Sequence, residues 1–473
     1  MSDLWLRVEK AYAWPGFRHA PDSMKRNHAI LICLAAAATV PGVLARMAGI
    51  PLDAPAMALA AGTAILGASF LLLWACDAAQ TDISLALALA VVALIAVLPE
   101  YSVDMYFTWQ AGKHPEAGYA HYAIANMTGA NRLLIGVAWG LIVAVYWLRF
   151  RKPVRIERER RTELFFLAAA TLYAFVIPIK GSLAWYDGVV LLGLYGGYIA
   201  VAARRRCPEC EVEGPAELLA RLPAAQRRTA TAGMFLFAGW VILINAAPFC
   251  EGLLGTGRAL HVSEFVLVQW LAPIASEAPE FTVALVFAWR GQAGLALGSL
   301  LSAKLNQWTL LVGMIPGAYA LSHGSLAHPL PMDATQVSEI LLTAAQSLLG
   351  VALLAGLRLS LGGAALLFGL FSGQLLLPVI SKWAPGLAFG ISPAQIHPAF
   401  SLIYLAAAAT VFVQNPQRIF ALVRGLRREP PPAAAEAVAA GGEFRSPHCA
   451  TCQWRLAAAC GRQESALAQT ARN

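Results

Sequence analysis

The sequence predicts an all-α protein that crosses a membrane about twelve times, as two inverted five-helix units plus two extra helices. Three observations carry this. Of 473 residues, 58% are hydrophobic and only 13% charged, where a soluble globular chain carries about 25% charged residues. The apolar residues fall in runs long enough to span a bilayer. Two of those runs share a Pro-Glu core at matched places. A mean hydropathy of +0.60 excludes an ordinary soluble enzyme and equally a disordered or collagen-like chain. The formal charge of +8 resides in short arginine clusters between apolar runs, which points to membrane orientation and not to nucleic acid.

A span needs about 20 mostly apolar residues. Candidates occupy 28–50, 57–77, 83–112, 119–148, 163–179, 184–203, 229–250, 260–290, 293–322, 335–356, 361–381 and 397–414. Four of these exceed one straight crossing, so they are expected to tilt, break or run past the bilayer. The basic N-terminal segment, residues 1–27, is too long and aromatic for the n-region of a cleavable signal. Basic clusters follow spans four (Arg149 to Arg161), six (Arg204 to Arg206, Arg227, Arg228), eight (Arg290), ten (Arg358) and twelve (Arg418 to Arg428). All follow even-numbered spans, so one topology puts them on the cytoplasmic side with both termini. The expected location is a bacterial inner membrane. The tail from Pro430 is rich in Pro, Ala and Gly and is expected to be disordered.

The repeat appears as LIAVLPEYSVD at 94–104 and PIASEAPEFTVA at 273–284. Spans two to six (57–203) then match spans seven to eleven (229–381), joined by a linker at 204–228. The first helix (28–56), the last helix (382–414) and the tail (415–473) lie outside. An odd number of spans per unit forces opposite orientation, the arrangement of secondary transporters with a midplane site. A proline within a span frees a carbonyl four residues back, Ile95 for Pro99 and Ala275 for Pro279. Each freed oxygen lies near a carboxylate, Glu100 or Glu280, and such hard oxygens suit calcium or sodium. Carboxylates inside a bilayer are costly, which makes each a functional hypothesis; the structural alternative is a kinked packing helix.

These residues resemble the calcium/cation antiporter superfamily, the sodium/calcium exchanger membrane region. That family carries a GTSLPEL-like motif in each repeat, followed by a GNxxGSN-like one. Here the first pair reads IAVLPEY and, over Ala125 to Asn131, ANMTGAN; the second reads ASEAPEF and, over Gly298 to Lys304, GSLLSAK. The resemblance covers about residues 57–381. It implies cation antiport by alternating access, no enzyme activity and no cofactor, with Ca2+, Na+ or H+ as cargo and a lipid bilayer as surroundings. Carried over position by position, it makes Glu100 and Glu280 the metal ligands. Asn131, Asn126, Ser276, Glu277, Lys304 and Asp104 are the remaining cation-binding or coupling candidates.

The departures are informative. Ala96 and Val97 replace hydroxyls that help hold sodium in the family, and Glu277 stands where Ser is usual. Lys304 stands where Asn or Asp is common, and an ammonium competes with a cation instead of ligating it. With Glu100, Glu277 and Glu280 anionic, Lys304 leaves a net −2, which one Ca2+ or two protons neutralise. The expected exchange is Ca2+ for H+ or Na+, with sodium coupling weakened. The alternatives are a Lys304–Glu277 ion pair and a non-transporting scaffold or regulator on the same fold. Asp104 reads as an outer relay carboxylate or as a group at a water-exposed mouth. Arg132 is expected to pair with a carboxylate or to snorkel, and Lys180 and Asp187 to be solvated. Two CxxC pairs, Cys207 with Cys210 and Cys449 with Cys452, offer a possible zinc site against the plainer reading of free thiols. No nucleotide-binding or nucleophilic motif appears in the sequence, so transport is expected to be gradient-driven.

Overall fold

A computed structural model describes residues 22–83, 95, 97–203, 212, 214–383 and 393–423. The first half contains α1 (Asp22–Met47), α2 (Ala54–Ala79), α3 (Leu98–Lys113), α4 (Tyr119–Phe150), α5 (Arg161–Ala174, extended by Val176–Lys180) and α6 (Trp185–Ala202). The second half contains α7 (Ala224–Leu260), α8 (Glu264–Trp289) and α9 (Ala293–Asn306, continued through Gln307–Leu311 into Val312–His323). It ends with α10 (Ala334–Leu354), α11 (Leu361–Trp383), α12 (Pro393–Gln414) and the short α13 (Gln417–Val423). Local signals set the starts. Asp53 caps α2 by accepting from Ala56 N at 3.0 Å, with Pro55 in the first turn. Asp333 and Gln336 form a reciprocal capping box at α10, both bonds 2.8 Å.

Ten helices among the described residues are long and apolar enough to cross a membrane. The sequence count of twelve differs by α3 and α9. The described part of α3 has 16 residues, short of a crossing. Lys304, Asn306 and Gln307 make α9 too polar. The two helices that miss the threshold are therefore arms of the two Pro-Glu hairpins. The expected run 229–250 is longer in the structure: α7 extends over 37 residues. It runs on past Glu251, whose carboxylate accepts from the Tyr106 and Tyr119 hydroxyls at 2.6 and 2.8 Å.

The two prolines act differently. Pro279 lies inside continuous α8. Pro99 lies in the first turn of α3, where a missing N–H costs nothing, so the expected mid-helix kink at Pro99 is a helix start instead. Glu100 consequently sits in a helical first turn, where the backbone dipole favours negative charge.

Packing is crosswise. α2 lies along α7, α3 against the last part of α9, and α4 against α8. Two of these contacts are made at glycines. A Cβ on Gly129 of α4 would stand 1.9 Å from the Gln269 carbonyl oxygen of α8, and one on Gly112 of α3 would meet Ser322 Oγ at 1.8 Å and the Tyr319 carbonyl at 2.8 Å. Two antiparallel β-bridges join the halves, Val154–Arg155 with Arg358–Leu359 and Ser182–Leu183 with Leu330–Pro331. The first bridge, the Arg149 bond to the Trp289 carbonyl (2.9 Å) and the Arg418 bond to the Ala352 carbonyl (2.9 Å) gather several basic loops at one end of the bundle. Trp109 and Trp185 are exposed.

Overpacking a tight contact costs roughly 1–3 kcal/mol. Gly129→Ala is expected to lower the melting temperature in detergent, because backbone must move to admit the methyl. Gly193→Ala, with nothing within 4 Å of the new methyl, is expected to leave it unchanged.

Candidate functional site

Residues from three helices converge on one small cavity. α3 supplies Pro99 and Glu100, with Val97 just before it. α8 supplies Ser276, Glu277 and Glu280, and α9 supplies Ala303 and Gln307. The free volume, about 10 Å³, is near the size that admits one water-sized sphere. Glu100 and Glu277 are buried, each 4% exposed, and Gln307 is 2% exposed. The Gln307 side chain connects them: its Nε2 donates to Glu277 Oε1 at 2.7 Å and to Glu100 Oε2 at 3.4 Å. Glu100 Oε1, Glu277 Oε2 and Gln307 Oε1 are buried without a hydrogen-bond partner. Three hard oxygens, from two carboxylates and one amide, thus border one cavity without donors, the ligand chemistry that hard cations prefer. Glu280 is half-buried and lines the same space.

Lys304 adjoins this cavity, but its hydrogen bonds go elsewhere. Its Nζ donates to Asn131 Oδ1 at 2.5 Å and to the Asn131 carbonyl at 3.1 Å, and lies 5.0 Å from the Trp308 ring centroid. Two readings of the sequence are affected. Lys304 forms no pair with Glu277, whose Oε1 is taken by Gln307. The Asn131 amide oxygen accepts from Lys304, and its Nδ2 donates to the Met127 carbonyl at 2.8 Å. The residue types explain the exchange. The long lysine stem crosses from α9 to α4, and an amide oxygen plus a carbonyl satisfy an ammonium without the desolvation cost of a second ion.

Gln307 escaped the sequence reading. It stands one turn after Lys304 and opens a π turn, Gln307–Leu311. A second π turn, Leu134–Ala138, begins the same three residues after Asn131. π turns concentrate at functional sites, and these two flank the paired residues at matching offsets. A single sequence does not reveal them, since both stretches read as ordinary apolar helix.

The remaining candidates lie nearby. Ser276 is half-buried, and its Oγ donates to backbone carbonyls of its own helix at 3.3 Å. Asp104 is fully buried, which excludes a water-exposed mouth, and accepts from Asn126 Nδ2 at 2.7 Å. Arg132 finds its carboxylate in Glu339 of α10, and both are buried. Gln269 Nε2 donates to the same Glu339 oxygen at 2.9 Å. The Arg132 guanidinium also lies 5.2 Å from the Trp270 ring centroid. His397 of α12 approaches Glu339 Oε1 at 2.9 Å, an ion-pair distance without hydrogen-bond alignment. Asp187 is buried, not solvated: Lys180 donates to it at 2.5 and 2.6 Å and Tyr173 at 2.7 Å. A further cluster gathers Arg160, Tyr198 and Ser302 around Glu163 at 2.9–3.2 Å. The four cysteines of the zinc reading lie outside the described residues, and no metal-ligating group of three or more occurs among those described.

Comparison with known proteins follows the same lines. The sequence pattern of the family described as sodium/calcium exchanger protein matches twice, over residues 54–204 and 230–379. An uncharacterized membrane protein of Methanocaldococcus jannaschii is 25% identical over 256 residues, 53% of this chain and 74% of that protein. The crystal structure of an H+/Ca2+ exchanger, CAX, superposes with a TM-score of 0.78 at 38% identity, covering 85% of this chain and 98% of that one. Native YfkE shares the fold, with a TM-score of 0.55 at 13% identity over 80% and 99% of the two chains.

The buried Arg132–Glu339 pair makes a prediction of its own. Removing one partner strands the other charge, at a cost of about 3–5 kcal/mol. Arg132→Met is expected to reduce the yield of monodisperse protein and to lower its melting temperature sharply. The double variant Arg132→Met/Glu339→Gln is expected to recover much of that loss in the same measurement.

Proposed function

The chain belongs to the sodium/calcium exchanger family, and on that footing we propose that it exchanges Ca2+ for H+ across the membrane, with sodium playing little part. It is an integral membrane protein of the cation antiporter class. The observation that carries the ion assignment is the division of labour between Gln307 and Lys304. Gln307 holds Glu100 and Glu277 together with three oxygens unpartnered. A divalent cation neutralises two such carboxylates at once; two protons do the same when the metal leaves. Lys304 fills with a tethered ammonium the place where an amide or carboxylate stands in the family motif, and it consumes the Asn131 oxygen. Val97, which lines the cavity, offers no hydroxyl. Both features remove monovalent ligands. The 38% identity to a protein described as an H+/Ca2+ exchanger supports the same assignment.

Glu100 and Glu277 serve as the principal ligands and proton carriers. Glu280 and Ser276 complete the cavity wall, and the Gln307 amide oxygen turns to the metal when its N–H groups hold the carboxylates. Alternating access comes from movement of one half against the other. The crosswise packing of α3 on α9 and α4 on α8, together with the doubled family match, supports two inverted units sharing this site. The gathered basic loops support a cytoplasmic assignment for that end.

Reconstituted vesicles test this. An outward-directed proton gradient is expected to drive 45Ca2+ uptake into inside-acidic vesicles, while an equivalent sodium gradient drives little. Uptake that follows sodium and ignores pH overturns the assignment. Folded wild-type protein that moves no calcium under either gradient favours the scaffold reading.

Single substitutions sharpen the test. Glu100→Gln and Glu277→Gln are each expected to cut uptake at least tenfold, since each removes a charge the metal must meet. Lys304→Asn is expected to gain a sodium-dependent component of calcium flux several times that of wild type.

A further inference from the structure

One buried acid stands outside the cavity just described. Asp104 is fully buried and Asn126 is 1% exposed. Asn126 Nδ2 donates to Asp104 Oδ1 at 2.7 Å, leaving Asp104 Oδ2 and Asn126 Oδ1 both buried without partners. Among the described residues Asp104 forms no ion pair. An isolated anionic carboxylate with one neutral donor is expensive in such surroundings. A proton on the acid removes its buried charge, and with it the main cost of leaving Asp104 Oδ2 without a donor. One carboxylate and one amide are too few ligands for a divalent metal.

Position gives the acid a role. Asp104 lies one helical turn, about 6 Å, beyond Glu100 on α3. Beyond it, toward the loop that joins α3 to α4, comes a tyrosine–carboxylate cluster. Tyr106 and Tyr119 donate to Glu251, Tyr122 donates to Glu264, and Gln110 donates to the Tyr106 hydroxyl at 3.2 Å. The polar groups thus form a column along the α3–α4 hairpin: Glu100, then Asp104 with Asn126, then the tyrosines with Glu251 and Glu264.

The ionisable groups that face Asp104 are few. Its ionisable neighbours are Glu100 and Tyr101 on α3 and Cys250 on α7. α4 presents the neutral Asn126. On α7, Glu251 is held by tyrosines, and Arg258 lies 3.6 Å from Glu264. On α8, Glu264 is held by Tyr122, Glu277 by Gln307, and Glu280 faces the main cavity. On α9, Lys304 is bound to Asn131, while Tyr319 and His323 stack on each other with ring centroids 5.5 Å apart.

Resting on the antiport reading above, we propose that Asp104 with Asn126 is a proton-binding station separate from the calcium cavity, through which the exchanged proton passes between that cavity and the tyrosine–carboxylate end. Calcium arriving one turn away favours release of the proton, and calcium leaving favours its return. Linkage makes the effect reciprocal. No bond other than O–H forms or breaks at Asp104.

Asp104→Asn keeps shape and keeps a partner for Asn126. It is expected to lose at least tenfold in proton-gradient-driven 45Ca2+ uptake while calcium-for-calcium exchange at constant pH stays within about twofold. In infrared difference spectra, wild type is expected to lose a protonated-carboxyl band on calcium addition, and Asp104→Asn to lack that band. Glu100→Gln is expected to lose both transport modes, and unchanged melting temperatures control for folding. Equal loss of both modes in Asp104→Asn, or no loss in either, overturns the station. Should wild type exchange calcium without responding to pH gradients, the coupling-ion reading fails and the infrared band decides alone: absence of an Asp104-dependent, calcium-sensitive band overturns the station.

Discussion

Glu100 and Glu277 come close enough to share one amide group, Gln307 Nε2, inside the protein. A carboxylate removed from water needs donors or a countercharge, and one amide is too little for two acids. That shortage shapes the rest of the site. It leaves oxygens turned toward a cavity and requires a mobile positive charge for neutrality. It also makes the nearby charged groups, Lys304 and Arg132, find partners that do not draw on these acids. Lys304 goes to Asn131, and Arg132 to Glu339. The two acids are thus left with neither the Lys304 nor the Arg132 cation as a bonded partner.

The scaffold serves the same end. Glycines at Gly129 and Gly112 let α4 reach α8 and α3 reach α9, which brings side chains from distant parts of the chain within hydrogen-bond range. The two π turns each follow a residue of the Asn131–Lys304 pair. Each inserts an extra residue in a turn and so rotates the helix face that follows. On α9 this begins at Gln307, the side chain that ties the acids together.

Much of this was legible in the sequence, and the legible part has a common physical cause. Long apolar runs admit helices and little else in a bilayer, so the all-α membrane-spanning fold follows from composition and length. Glu100, Glu277 and Glu280 stood out because acids are rare in such runs. What escaped notice is of two kinds. Gln307 is neutral, and neutral amides raise no alarm against an apolar background, although its spacing of one turn from Lys304 was available. The Asn131 partner of Lys304 was not legible, because chain spacing fixes height along a helix and not which neighbour a long flexible stem selects. Asp187 was misread for a related reason, since a position near a helix start suggests solvent until the partners from Lys180 and Tyr173 are seen. The Pro99 helix start depended on the Val97 backbone, φ −92° and ψ 7°, which no periodicity distinguishes from a kink.

The Lys304–Asn131 contact has a last implication. A dissolved ion fills a site according to its concentration, and so its hold weakens as the medium is diluted. The ammonium on α9 is carried by a covalent stem and never dilutes. In fresh water or in brine, the Asn131 oxygens keep the same partner.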